Sequence, residues 1–83
     1  MPQWYYVGTT TQSRETEVKK RLRAKHIGYR TKRHESEIGD GIYGPGTDFY
    51  VAKSRYYEAE NLFTRWEEEG TVLIITTAQA AGI

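Results

Sequence analysis

Four apolar residues, Ala59, Leu62, Phe63 and Trp66, recur at i, i+3, i+4 and i+7, the spacing that sets side chains on one continuous face of a helix. A helix with one apolar face must lay that face against another element. In 83 residues there is room for one domain and one core, because a chain this short buries only about 60 to 65% of its unfolded surface. The sequence has no cysteine, so neither disulfides nor thiolate metal ligands reinforce that core. The cover has to come from packing against the aromatic and β-branched runs elsewhere in the chain.

Those runs are easy to place. Trp4-Tyr5-Tyr6-Val7 predicts a first strand, broken at Gly8 and a threonine run. Ser13 is placed to cap a helix running to about Ile27 and ended by Gly28, with Val18 and Leu22 as its narrow apolar stripe. Tyr29 to Ser36 reads as a polar strand suited to a sheet edge. Glu37 to Gly46 reads as an irregular loop, since four glycines and Pro45 fall between Gly39 and Gly46. Thr47 to Lys53 is the next strand, Ser54 opens the second helix, and Thr71 to Thr77 reads as a central apolar strand. The expected fold is α+β and ferredoxin-like, β-α-β-β-α-β, with a four-stranded antiparallel sheet and two helices on one face. The domain spans 1–77, and 78–83 is a short tail.

Charge is unevenly spread. Residues 1–33 carry nine Lys and Arg against Glu15 and Glu17, whereas residues 34–83 carry three against nine Asp and Glu, although the whole chain nets only +1. Such polarity points to an acidic partner at the basic end, or to two halves that neutralise each other on folding. The Met1-Pro2-Gln3-Trp4 start has neither a basic n-region nor an apolar h-region, and the longest apolar run is Val72 to Ile75. The expectation is a cytoplasmic chain with no membrane segment.

Catalytic and cofactor chemistry finds little support. Gly39-Asp40-Gly41-Ile42-Tyr43-Gly44 matches G-x-G-x-x-G, but Pro45-Gly46 leads on to a strand where a dinucleotide site needs a helix to open. His26 and His34 lie on different predicted elements with no cysteine to complete a zinc set. The reading is therefore no enzyme, no catalytic residues, no metal and no cofactor.

Binding features are stronger. Lys19, Lys20, Arg21, Arg23, Lys25, Arg30, Lys32 and Arg33 run from the first helix into the next strand and form a candidate surface for nucleic-acid phosphate. Tyrosine occurs seven times. Neighbours on a strand point to opposite faces, so Tyr5 and Tyr6, or Phe49 and Tyr50, cannot all lie beneath the helices, and an aromatic open face is expected. Such a face can stack bases or seat protein hot spots. The Lys/Arg-Gly-aromatic-Gly/Ala-aromatic run of RNA-recognition sheets is absent, which ranks a protein partner above RNA.

Trp4-Tyr5-Tyr6-Val7, then Glu17-Val18-Lys19 through Leu22, then Pro45-Gly46 before Phe49-Tyr50-Val51, resembles the N-terminal domain of NusG-like transcription elongation factors over residues 3–77. The resemblance implies a stand-alone version, lacking the family's second β-barrel domain, with an aromatic patch that grips RNA polymerase. Tyr5, Tyr6, Tyr43 and Tyr50 are the candidate partner-binding residues. Expected, then, is a small binding protein, compact enough for viral or mobile-element origin, that docks on a transcription or other nucleoprotein complex and modulates it. Direct RNA or DNA binding, or a homo-oligomeric inhibitor or structural module, are the alternatives; the oligomeric state is left open.

Overall fold

A computed structural model describes residues 3–34, 37–39, 42–43 and 45–75. The chain order is β1 (Trp4–Thr11), α1 (Glu15–Ala24), β2 (Tyr29–His34), β3 (Glu37–Gly39), β4 (Ile42–Tyr43), β5 (Gly46–Ala52) and α2 (Tyr56–Glu68), with a 3-10 turn before each helix at Gln12–Arg14 and Lys53–Arg55. The main sheet is antiparallel and three-stranded in the order β1-β5-β2, and β3 and β4 pair separately.

This corrects the four-stranded β-α-β-β-α-β expectation. The central strand is β5, every residue of which except Ala52 is buried. Thr71 to Ile75 makes one antiparallel bridge, in which Thr9 and Leu73 exchange backbone hydrogen bonds of 2.7 Å, and forms no fourth strand among the described residues. The apolar content of that segment goes elsewhere: Val72 is buried in the core and Ile74 packs against it. Residues 76–83, including the expected tail, lie outside the described residues.

Side-chain alternation builds the core. Register pairs Tyr5 with Val51 and Gly8 with Phe49 on β1 and β5, and Tyr29 with Val51 on β2 and β5. These positions share the helix-side face, where Phe49 and Val51 meet Val18 and Leu22 of α1 and Ala59, Phe63 and Trp66 of α2. The apolar period of α2 is thus the buried face that the sequence predicts, with Leu62 partly buried at its margin.

Several boundaries differ from expectation for local reasons. Gly8 does not end β1: the register shifts between Tyr6 and Gly8, a bulge that lets the strand continue through the threonine run to Thr11. Ser13 caps nothing. It sits in the 3-10 turn with its hydroxyl 3.1 Å from that of Thr11, and α1 has no side-chain cap. α1 ends at Ala24, and His26 rather than Gly28 takes the left-handed conformation, with φ of 58°. Ser54 likewise lies within a 3-10 turn. The glycine-rich segment read as loop contains the β3–β4 pair. At the other end of α2, Gly70 has φ of 84° and closes the helix.

Candidate nucleic-acid interface

β2 is an edge strand of the main sheet, as its charge predicts. Arg30, Thr31, Lys32 and Arg33 are all exposed, with the half-buried Tyr29 and His34 at the ends. Alternation divides them. Arg30 lies opposite Tyr50 and Lys32 opposite Asp48 on the face away from the helices, while Thr31 and Arg33, opposite Phe49 and Thr47, turn toward the helix side. Cations therefore flank both sides of one extended edge.

Arg30 is positioned by an aromatic ring: its guanidinium carbon lies 4.6 Å from the Trp4 ring centroid. Stacking on the ring face holds the side chain out while its N–H fork keeps its donors. Neither the composition nor the spacing of Trp4 and Arg30 shows this contact. It follows from β5 lying between their strands, which pairs Trp4 with Ala52 and Arg30 with Tyr50.

The α1 cations are a mixed set. Lys19 pairs with Glu15 at 2.6 Å. Arg21 reaches Glu17 and, at 3.0 Å, Glu69 beyond α2, with its guanidinium 5.3 Å from the Trp66 ring. Bonding to Glu69 above all holds the guanidinium protonated, so Arg21 belongs to the α1–α2 junction. Arg23 donates to the Tyr29 hydroxyl at 3.2 Å, fastening α1 to the start of β2. Lys20 and Lys25 are exposed. The fold thus gathers Lys19, Arg23, Arg30, Lys32 and Arg33 around β2 and the adjoining flank of α1, and sets Arg21 apart.

The tyrosines do not converge. Tyr5 is on the helix side, its ring centroid 5.7 Å from that of Tyr56. Tyr6 is on the opposite face, edge-on to Tyr50 at 5.9 Å. Tyr50 is 0% exposed, so the face away from the helices is closed at its centre, contrary to the open aromatic face expected. The Tyr43 side chain lies outside the described residues, as do Gly44 and the Asp40-Gly41 part of the glycine run. An exposed ring that the sequence analysis did not single out is Tyr57, 78% accessible and edge-on to Tyr56 at 5.5 Å.

Between β2, β5 and the first 3-10 turn lies a pocket of about 190 Å³ whose lining includes Gln12, Glu15, Thr31, Arg33, Pro45 and Thr47. Glu15 accepts hydrogen bonds from Lys19 and from the Thr47 hydroxyl. These bonds, with the charge of Arg33 nearby, hold its carboxyl below the ordinary glutamate value, so it is ionised at neutral pH. Among the described residues no three His, Asp or Glu side chains converge as metal ligands would, and no helix is long and apolar enough to cross a membrane. No family model, curated protein or solved structure matches the chain.

Proposed function

We propose that the chain is a non-catalytic binding module that docks on a nucleoprotein complex, with the edge formed by β2 and the adjoining flank of α1 set against nucleic-acid phosphate. The observation that carries this reading is the run Arg30 to Arg33. It supplies three cations on four consecutive exposed residues of a strand, with Arg30 stacked on Trp4 rather than spent on a described carboxylate. A phosphate backbone is a regularly spaced row of charge, and an extended edge presents cations in a row to meet it. Five of the nine acids in residues 34–83, Glu58, Glu60, Glu67, Glu68 and Glu69, lie on α2 and its end, while Asp48 lies on β5 opposite Lys32. The bridge from the α1 cations to that end runs through Arg21 and Glu69. Among the described residues neither Arg30 nor Lys32 pairs with an acid of α2, which supports an acidic partner for those two cations. Modulation of transcription is the setting in which the NusG-like motifs would place such a module.

The test is fluorescence anisotropy with a labelled single-stranded oligonucleotide across a salt series. Affinity should fall linearly with salt on logarithmic axes, and Arg30→Ala and Lys32→Ala should each reduce the slope by about 1. Failure to bind at low salt would overturn the reading.

A further inference from the structure

The pocket beside the basic edge has a composition that phosphate alone does not suit. Its lining carries an ionised carboxylate, Glu15, as well as the cations Lys32 and Arg33, so it offers acceptors at one part and positive charge at another. Exposed Gln12 and Arg33 and the apolar ring of Pro45 stand at its more open parts, while Gly46 and Thr47 are buried beneath. At about 190 Å³ it is smaller than the roughly 300 to 1,000 Å³ that enclose a whole small molecule. The matching ligand is one group that is neutral and rich in N–H donors where it meets Glu15, joined to an anion where it meets Arg33. A nucleotide of a single strand has that construction, with its base turned in and its phosphate left at the edge.

The carboxylate also discriminates among bases. Each oxygen of Glu15 holds one described partner, Thr47 on Oε1 and Lys19 on Oε2, and an ionised carboxylate has about four acceptor positions. Each oxygen therefore keeps acceptor capacity for about one further N–H. Two adjacent N–H donors on a Watson–Crick edge occur in guanine, at N1 and N2. Adenine and cytosine place a ring acceptor beside their amino group, and uracil has a single N–H between two carbonyls.

Resting on the nucleic-acid reading above, we propose that this pocket is a subsite for an unpaired guanine, with Glu15 accepting from its N1 and N2 and Arg33 contacting the adjoining phosphate. The guanine is unpaired by necessity, since in a duplex that edge is occupied by cytosine.

The experiment compares the full chain with short labelled single strands identical except for one central base: guanine, inosine, adenine or uracil. Guanine should bind on the order of tenfold more tightly than adenine or uracil. Inosine, which lacks the N2 amine, should lose much of that advantage, and so should Glu15→Gln, whose amide offers an acceptor at only one of the two positions. Because inosine alters the ligand and leaves the protein intact, it decides the matter even if Glu15→Gln perturbs the Thr47 and Lys19 contacts. Salt-dependent binding with equal affinity for the four strands would overturn the guanine subsite and leave the basic edge standing. Absence of binding to every strand at low salt would overturn both.

Discussion

Thr9 and Asp48 stand directly opposite each other on β1 and β5, and the Thr9 hydroxyl donates to Asp48 Oδ1 at 2.6 Å. Because its one hydrogen is used there, the 2.6 Å contact between Tyr6 and Thr9 has Tyr6 as donor, and the Tyr6 oxygen in turn accepts from the Ile75 N–H at 3.0 Å. His34 Nδ1 reaches Asp48 from β2, 3.0 Å from Oδ1. One carboxylate thus terminates a directional chain that joins all three strands of the main sheet and the segment after α2. Such networks are worth having only when every member is satisfied.

Asp48→Ala removes the acceptor and leaves the fully buried Thr9 hydroxyl without its partner. The expected cost is about 2 to 3 kcal/mol, read from urea unfolding at neutral pH. A Thr9→Val, Asp48→Ala double variant should lose less than the sum of the two single variants, because the second change removes a group already stranded. Additive losses would show that the two side chains do not act as a unit.

Gly8 is fixed by space rather than by backbone angle. It lies on the helix side opposite Phe49, and a Cβ there would run into the edge of the Phe63 ring. That ring has little room to swing, with the Phe49 and Trp66 rings at 6.0 and 5.0 Å. Gly8→Ala is therefore expected to cost about 1 to 3 kcal/mol by overpacking. Phe63→Leu in the same chain should recover part of the loss, although alone it destabilises. Full stability of Gly8→Ala by thermal unfolding would refute this close approach.

The apolar period of α2 was legible because periodicity is local: Ala59, Phe63 and Trp66 are buried as their spacing requires. The edge position of β2 was legible too, since four charged or polar residues in a row fit no buried strand. The fourth strand was misread because Val72 to Ile75 is apolar in any context, and nothing local says whether such a run pairs along its length or drops side chains into the core. Gly8 misled for a similar reason, as a glycine marks a turn or a close contact alike. In the candidate interface, the basic residues were visible as a list, but their sorting was not. Arg21 goes to Glu69 and Trp66, and Arg30 to Trp4, pairings set by how elements distant in sequence come together. Tyr50 shows the limit of alternation, which set it on the face opposite Phe49 but could show neither which of the two meets the helices nor that Tyr50 is buried all the same.

Burial at Tyr50 and Tyr6 makes the fold sensitive to alkali. Desolvation is the main cause raising both phenols above the ordinary tyrosine value near 10, opposed at Tyr6 by its bonds with Thr9 and Ile75 and reinforced at Tyr50 by the charge of Asp48. A group that holds its proton more tightly when folded contributes stability that is complete below its unfolded value and is lost as pH rises through the folded one. Unfolding free energy should accordingly decline above about pH 10. Tyr50→Phe should make that decline shallower, since phenylalanine has no proton to lose. An unchanged slope in urea titrations at several alkaline pH values would remove Tyr50 from this account.

Arg21 and Arg30 are both arginines of the basic stretch, and both lie over a tryptophan ring, yet their surroundings differ. Arg21 joins α1 to the end of α2 through Glu69 while covering Trp66, a core residue only 7% exposed. Exposed ion pairs and cation–π contacts are each worth about 0.5 to 1 kcal/mol, so Arg21→Ala should lower stability by about 1 kcal/mol. Nucleic-acid affinity and its salt slope should stay nearly unchanged, because this cation is directed at α2. Arg30→Ala should instead cost no more than its single ring contact, about 0.5 to 1 kcal/mol, while weakening binding and flattening the salt slope. Trp4→Ala provides the third comparison: it keeps the Arg30 charge but removes the ring that holds it, so the slope should persist while affinity drops. If Arg21→Ala weakened binding as much as Arg30→Ala, the contact surface would have to extend over the α1–α2 junction, and the edge formed by β2 would lose its special place.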